Sequence, residues 1–181
     1  MSNLFTRAFE FFFAPAASLE VSSQQESQNC EGEFWGDLSS DFHWLFLDID
    51  GVLHRAENGS LEFMPVLCDV LRECPNVRII LSTSWRLGAS TKDVLSHFTS
   101  EIRPFIVGAN PDLDGHVSEH IRWHECMAMV RHLGLSSYTF VDDSARLFPE
   151  SCPSLFLTKR YEGLNDEMGK RLINRILSSR T

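Results

Sequence analysis

The sequence predicts an α/β domain in which helices cover both faces of a mostly parallel, five-stranded sheet, a three-layer sandwich. Three observations point there. From Phe42 onward, short and uniformly apolar runs alternate with amphipathic segments of helical period, the pattern of parallel strands buried on both faces. Several runs stop abruptly at Asp, Ser or Asp-Asp, where a strand opens into a loop. At 181 residues, the chain is long enough for one domain whose core is stable unaided.

The elements follow in order. Residues 1–41 form a leader, and the folded domain takes 42–181. Residues 18–41 are mostly Ser, Gln, Glu, Asn and Gly and predict a flexible stretch. Upstream, Phe9–Ala17 follows Arg7, is broken by Glu10, and loosely imitates a signal peptide at Ala14–Ala17. The alternative is a docking segment, since Phe5–Phe13 with its three consecutive phenylalanines suits contact with the domain, a partner protein or a membrane surface.

Within the domain, Trp44–Leu47 reads as the first strand, ending in Asp48. Val52–Glu62, with Asn58-Gly59, reads as an irregular loop or small hairpin. Phe63–Glu73 is a helix with Phe63, Val66, Leu67, Val70 and Leu71 on one stripe and Pro65 tolerated in its first turn. Val77–Leu81 is the second strand. Ser90-Thr91-Lys92-Asp93 has the form of a capping box opening a helix through Phe98. Arg103–Val107 is a short third strand, and Gly108–His116 a loop. Glu119–Leu133 is a longer helix closed by Gly134. Ser137–Val141 and Ser154–Leu157 are the fourth and fifth strands, and Asp166–Leu177 is a last amphipathic helix. There are no internal repeats and no heptads.

Charge and cysteines exclude several classes. The formal net charge is −9, which argues against non-specific binding to nucleic acid or anionic membrane. Residues 1–40 hold six acids against the single Arg7, so the folded part is only mildly acidic and a local basic pocket stays compatible with it. The five cysteines are scattered, odd in number and without a CxxC pair. They read as thiols in a reducing, cytoplasmic compartment. No apolar run is long enough to span a bilayer.

The chemistry sits at strand ends. Asp48 and Asp50 are two apart, so an extended backbone points both carboxylates the same way. Such a pair needs a cation, hydrogen-bond donors or a shared proton; the bland alternative is an acidic turn. Strand two ends in Ser82 and strand four in Asp142-Asp143. In an open α/β sheet, ligands bind at carboxyl ends of strands near the switch point. Oxygen-rich, sulfur-poor ligands favour Mg²⁺ over zinc. A metal lets a carboxylate approach a phosphate. Asp48 then suits nucleophilic attack on phosphorus. Asp50 suits protonation of the leaving oxygen and later activation of water. Ser82 suits donation to a phosphoryl oxygen, and an Arg or Lys should complete the charge balance.

These residues, in this order, resemble the haloacid dehalogenase-like (HAD) hydrolases. D-x-D-G-V-L at Asp48–Leu53 resembles their first motif, Ile80-Leu81-Ser82 the second, and Val141-Asp142-Asp143 the fourth. The resemblance implies a Rossmann-like fold and a phosphatase, with Asp48 as nucleophile and Asp50 as acid/base. It implies Mg²⁺ held by Asp48, Asp142 and the backbone carbonyl of Asp50, with Asp143 a ligand through water or a support. The third motif is normally a lysine before the fourth strand; Arg122 stands nearest that place, and no lysine lies between Lys92 and Lys159. Arginine neutralises phosphate but differs in shape and does not usefully titrate. More narrowly, D-G-V-L-H, S-T-S-W-R, a helix with Arg122 and Glu125, D-D-S, Thr158 and Gly163-Leu164 resemble a small HAD group linked to RNA repair, over roughly residues 43–178. Only Leu53–Phe63 and Leu87–Glu101 are free to hold a cap, which implies an enzyme without a large cap domain.

Further candidates line the expected mouth. Thr83 and Arg86 follow the second motif, and Arg86 suits either a bidentate substrate contact or a structural salt bridge. His54 suits the mouth of the pocket, and Lys159 with Arg160 a substrate contact or a substitute for the absent lysine. Trp85 reads as packing beside the sheet, with stacking on a base or sugar as the alternative. Asn110, Asp112 and Asp114 read as a solvated turn. The histidines are too dispersed for zinc. The reading is a Mg²⁺-dependent phosphomonoester hydrolase for a phosphorylated small molecule, nucleotide or nucleic-acid end. A phosphotransferase of the same fold and a catalytically weak protein-binding module are the alternatives. Oligomeric state is not legible.

Overall fold

The computed structural model describes residues 32–38, 41–55, 59–113 and 119–179. Phe5–Phe13, Cys30, Asn58, Asp114 and His116 lie outside the described residues.

The sheet has six strands: β1 (Glu33–Phe34), β2 (His43–Leu47), β3 (Val77–Leu81), β4 (Ile106–Ala109), β5 (Tyr138–Asp142) and β6 (Leu155–Leu157). Their spatial order is β1-β4-β3-β2-β5-β6. All neighbours pair in parallel except β1, which runs antiparallel to β4. The sheet is therefore mixed and mostly parallel, as expected, but the count of five is corrected to six. The extra strand comes from the stretch read as leader. Glu33 and Phe34 pair with Ala109 and Gly108, the Thr91 hydroxyl donates to the Glu33 carboxylate, and the Trp35 indole N–H donates to the Ile106 carbonyl at 3.1 Å. Two residues are too few to show a period, and neighbouring Ser and Gly mask them. Gly108 admits this strand, since a Cβ there would stand 2.7 Å from the Glu33 carbonyl oxygen.

Among the described residues, four helices flank the sheet: α1 (Met64–Glu73), α2 (Thr91–Ser96), α3 (Ile121–Leu133) and α4 (Asp166–Ser178). Strand β2 is buried at all five positions, and its period of two divides the core. Leu45 and Leu47 join Leu67 and Leu71 of α1, Val94 of α2, and Leu172 and Ile176 of α4. Trp44 and Phe46 face Cys126, Met129 and Val130 of α3 on the other side. Both faces being covered is why the run is apolar throughout rather than alternating.

Local signals set most boundaries. Ser90 accepts a hydrogen bond from the Asp93 N–H at the start of α2, Asn165 does the same for α4 through Met168, and Gly134 ends α3 in the left-handed region at φ 64°. Helix α2 stops at Ser96, short of Phe98. Residues Arg103–Phe105 form a 3-10 turn before β4 begins, because Pro104 has no N–H for the ladder and a fixed φ. Among the described residues, no helix is long and apolar enough to cross a membrane.

Candidate active site

Parallel register brings the site together. The N–H of Asp48 donates to Val141 O at 3.0 Å, that of Ser82 to Leu47 O at 2.8 Å, that of Asn110 to Leu81 O at 2.9 Å, and that of Thr158 to Asp142 O at 2.9 Å. Each is the first residue beyond its strand, so the side chains stand in a row at one edge of the sheet. Strand β2 lies at the switch point, with β3 on one side and β5 on the other.

One carboxylate oxygen from each of Asp48, Asp142 and Asp143 lies within 4.8 Å of the others. Asp142 uses Oδ1 to accept the Ser144 N–H at 2.8 Å, while its Oδ2 is buried without a hydrogen-bond partner. Gly51 lets the loop come this close. Its φ is 71° and a Cβ would meet Asp143 Oδ2 at 2.3 Å, so glycine is required twice over. The buried Thr158 hydroxyl ties the loop down by donating to Gly51 O at 2.9 Å. Three crowded carboxyls resist ionisation. Burial raises Asp48 well above the usual carboxylate range, the Asp142 charge adds to it, and Arg122 opposes it. Burial likewise pushes Asp142 up to about 6, against the Ser144 N–H and Arg122. Asp143 is raised by burial and eased by Arg160, whose Nη1 stands 3.7 Å from Asp143 Oδ2. An all-oxygen donor set with an orphaned buried oxygen fits a hard divalent cation.

Arg122, at the start of α3, supplies the fixed cation. Its Nη1 donates to Glu125 Oε2 at 3.1 Å, and its Nε stands 3.7 Å from Asp142 Oδ2, too far for a hydrogen bond. Both of these facing atoms lack a partner. Burial alone would lower the Arg122 pKa, but Asp48, Glu125 and Asp142 together raise it. Glu125 joins two arginines, since its Oε1 also accepts from Arg86 Nη2 at 2.5 Å.

Ser82 is buried beside this group, and its Oγ accepts from Asn110 Nδ2 at 2.9 Å and lies 3.4 Å from Cys126 Sγ. Burial raises the Cys126 thiol to about 12, so it stays a neutral packing group. Asp50 is half exposed, with Oδ1 2.9 Å from His54 Nε2 and Oδ2 accepting from Trp85 Nε1 at 3.0 Å.

The structure relocates the four expected substrate contacts. Thr83 is fully buried and its hydroxyl accepts the Trp85 N–H, capping the 3-10 turn Ser84–Leu87. Arg86 turns inward to Thr83 O, Pro111 O and Glu125, which is the salt-bridge alternative. His54 is buried under Asp50 because residues 51–53 form a turn that folds it back. Lys159 is exposed and pairs with Glu162 at 2.9 Å, within one turn of its own chain.

Two residues at the site, Asn110 and Glu125, were not given a role in it from the sequence. Asn110 had a usable signal, since it ends an apolar strand as Asp48 and Ser82 do, and the turn-like Asn-Pro-Asp run hid it. Glu125 had one in its i+3 spacing from Arg122. Trp85 was read as packing, with stacking on a base or sugar as the alternative, and its indole N–H instead faces Asp50.

The family described as the HAD domain in Swiss Army Knife RNA repair proteins matches residues 44–168, and the chain belongs to that family. No curated protein and no solved structure matches the chain.

Proposed function

We propose that this HAD domain is a Mg²⁺-dependent phosphomonoester hydrolase working through an aspartyl-phosphate. The observation that carries the reading is the convergence of Asp48, Asp142 and Asp143 within 4.8 Å beside the unpartnered Arg122 Nε. Asp48, Asp142, Asp143 and the Asp50 carbonyl would hold the ion, which supplies positive charge so that a phosphate dianion and a carboxylate can meet.

The chain's own groups divide the rest. An Asp48 oxygen attacks phosphorus, and the bond from phosphorus to the leaving oxygen breaks. Asp50 gives its proton to that oxygen. Asp50 then takes a proton from water as the water oxygen attacks the phosphorus of phospho-Asp48, releasing phosphate and restoring both carboxyls. Arg122 neutralises phosphoryl charge in place of the usual lysine, and Ser82 donates its hydroxyl to a phosphoryl oxygen, its oxygen already engaged by Asn110. The RNA repair proteins named in the family description support a nucleotide or nucleic-acid phosphate end as substrate. The compartment is reducing and cytoplasmic; the four described cysteines are free thiols.

The test is Mg²⁺-dependent phosphate release from an aryl phosphate, nucleotides, and 5′- or 3′-phosphorylated oligonucleotides. Turnover is expected with oligonucleotide ends, lost on chelation and lowered roughly 10³-fold or more in Asp48→Asn. Absence of release across that whole panel would overturn the reading.

A further inference from the structure

We propose that His54 and Trp85 are positioning residues that clamp Asp50 in the orientation needed to protonate the leaving group. This rests on the hydrolase reading above.

Asp50 faces a geometric problem. Its side chain is 46% exposed, and it follows the strand by three residues, beyond the last ladder bond. A half-exposed aspartate in a loop samples several rotamers, and each one that turns away from the leaving oxygen loses the proton transfer. Here each of its two carboxylate oxygens has a side-chain partner. His54 Nε2 lies 2.9 Å from Oδ1 and Trp85 Nε1 donates to Oδ2 at 3.0 Å. The two residues come from different elements. His54 ends the turn after the first motif and makes an isolated bridge with Asp50, while Trp85 sits in the 3-10 turn after β3.

Both clamp residues are themselves fixed. His54 is 3% exposed, and its Nδ1 faces the Arg55 carbonyl at 2.7 Å. A carbonyl only accepts, so Nδ1 carries a hydrogen and the ring cannot flip without losing that bond. The Trp85 indole meets the His97 ring edge-on with centroids 5.3 Å apart, lies 6.2 Å from the His54 ring, and has its backbone N–H on the Thr83 hydroxyl. Each Asp50 oxygen keeps a second lone pair, so clamping leaves a site for the proton to be transferred.

A residue that orients the general acid has a signature that a packing residue lacks. Proton donation matters greatly for a poor alkoxide leaving group and little for a nitrophenolate. The specificity constant kcat/KM reports the chemistry through departure of the leaving group, so the ratio of its alkyl to aryl values isolates Asp50. The experiment measures that ratio in the full chain with Mg²⁺, using an alkyl phosphate and p-nitrophenyl phosphate. His54→Leu removes the ring nitrogens at similar volume, His54→Gln restores a polar group able to donate or accept near Nε2, and Trp85→Phe removes the indole N–H.

His54→Leu is expected to lower the alkyl-to-aryl ratio roughly tenfold or more, within the 10²–10⁴-fold share of general acid catalysis. His54→Gln is expected to regain most of it, and Trp85→Phe to lower it about threefold. In an Asp50→Asn background, the same changes should leave the ratio unmoved, because the group they orient is gone. Equal losses on both substrates, or an unchanged ratio, would overturn the clamp while leaving the hydrolase intact. If His54→Leu fails to fold, Trp85→Phe decides alone, since it keeps an aromatic ring at a half-buried position while removing the Nε1 donor to Asp50. Wild-type protein that turns over neither these two substrates nor the phosphorylated oligonucleotide ends overturns the hydrolase reading and the clamp with it.

Discussion

The two ends of one sheet handle buried polar groups in opposite ways. At the amino end, His43 is buried, yet Nε2 lies 3.0 Å from Thr139 Oγ1, and Nδ1 lies 2.8 Å from Ser137 Oγ and 3.1 Å from Ser179 Oγ. The cluster closes on itself and ties β2, β5 and the end of α4 together. At the carboxyl end, groups of like charge crowd together and bonds are left open. Among the described residues, the buried side-chain polar atoms lacking a partner are Arg86 Nε, Asn110 Oδ1, Arg122 Nε and Asp142 Oδ2, all at or beside the site. An unmade buried hydrogen bond costs about 1–3 kcal/mol. One end closes its polar groups on one another, and the other leaves buried polar atoms open to a ligand.

The sharpest way to break this contrast is Asp142→Asn. If the carboxyl end serves chemistry, the change should lower Mg²⁺-dependent turnover roughly a hundredfold or more, several kcal/mol of charge stabilisation. Because it also removes a buried charge facing Asp48 and Asp143, it should raise the melting temperature in chelator. Kinetics and thermal melts on the same preparation check both. Activity retained together with a lower melting temperature would make Asp142 a structural residue.

The second effect is on pH and metal together. The Asp142 carboxyl is raised by burial to about 6 from an ordinary 3.8, and Asp48 moves the same way. The folded state then binds protons more readily than the unfolded chain. That contribution to stability is present at low pH and is lost as pH rises from the unfolded value near 4 through about 6. In chelator, the melting temperature attributable to this pair should therefore rise as pH falls from 7.5 to 5. A divalent ion binds the charged form, so Mg²⁺ should raise melting by roughly 5 °C at pH 7.5 and by less at pH 5. A Mg²⁺ effect that grows on acidification would remove the carboxylates as its ligands.

The contrast between the ends also explains what the sequence disclosed. Asp48, Ser82 and Asp142 were legible because each follows an apolar run long enough to read as a strand, and a shared edge follows from parallel topology. The alternation of strands and helices disclosed the layers for the same reason. What stayed hidden depends on where a side chain turns after leaving the backbone. Thr83 and Arg86 sit in the stretch that suggested substrate contact, but one is a cap and the other is drawn inward by Glu125, 39 residues away. His54 is carried under Asp50 by a tight turn whose sequence, Gly51-Val52-Leu53, says little about direction. Strand β1 is fixed by partners on β4 and by Thr91, none of them near it in sequence. Local pattern specifies an element; the partner across space specifies its use.

The smallest effect tests the other end. Thr139→Val keeps the shape of the side chain and its β-branching but leaves His43 Nε2 without the hydroxyl at 3.0 Å. The loss should be about 1–3 kcal/mol of stability, read as a shift of the denaturant midpoint with an unchanged slope. Turnover should stay within about twofold, because Thr139 lies three residues before Asp142 and its side chain belongs to the opposite edge. A fall in kcat as large as that of Asp142→Asn would show that the closed cluster is coupled to the open one through β5. The division of labour between the two ends would then be wrong.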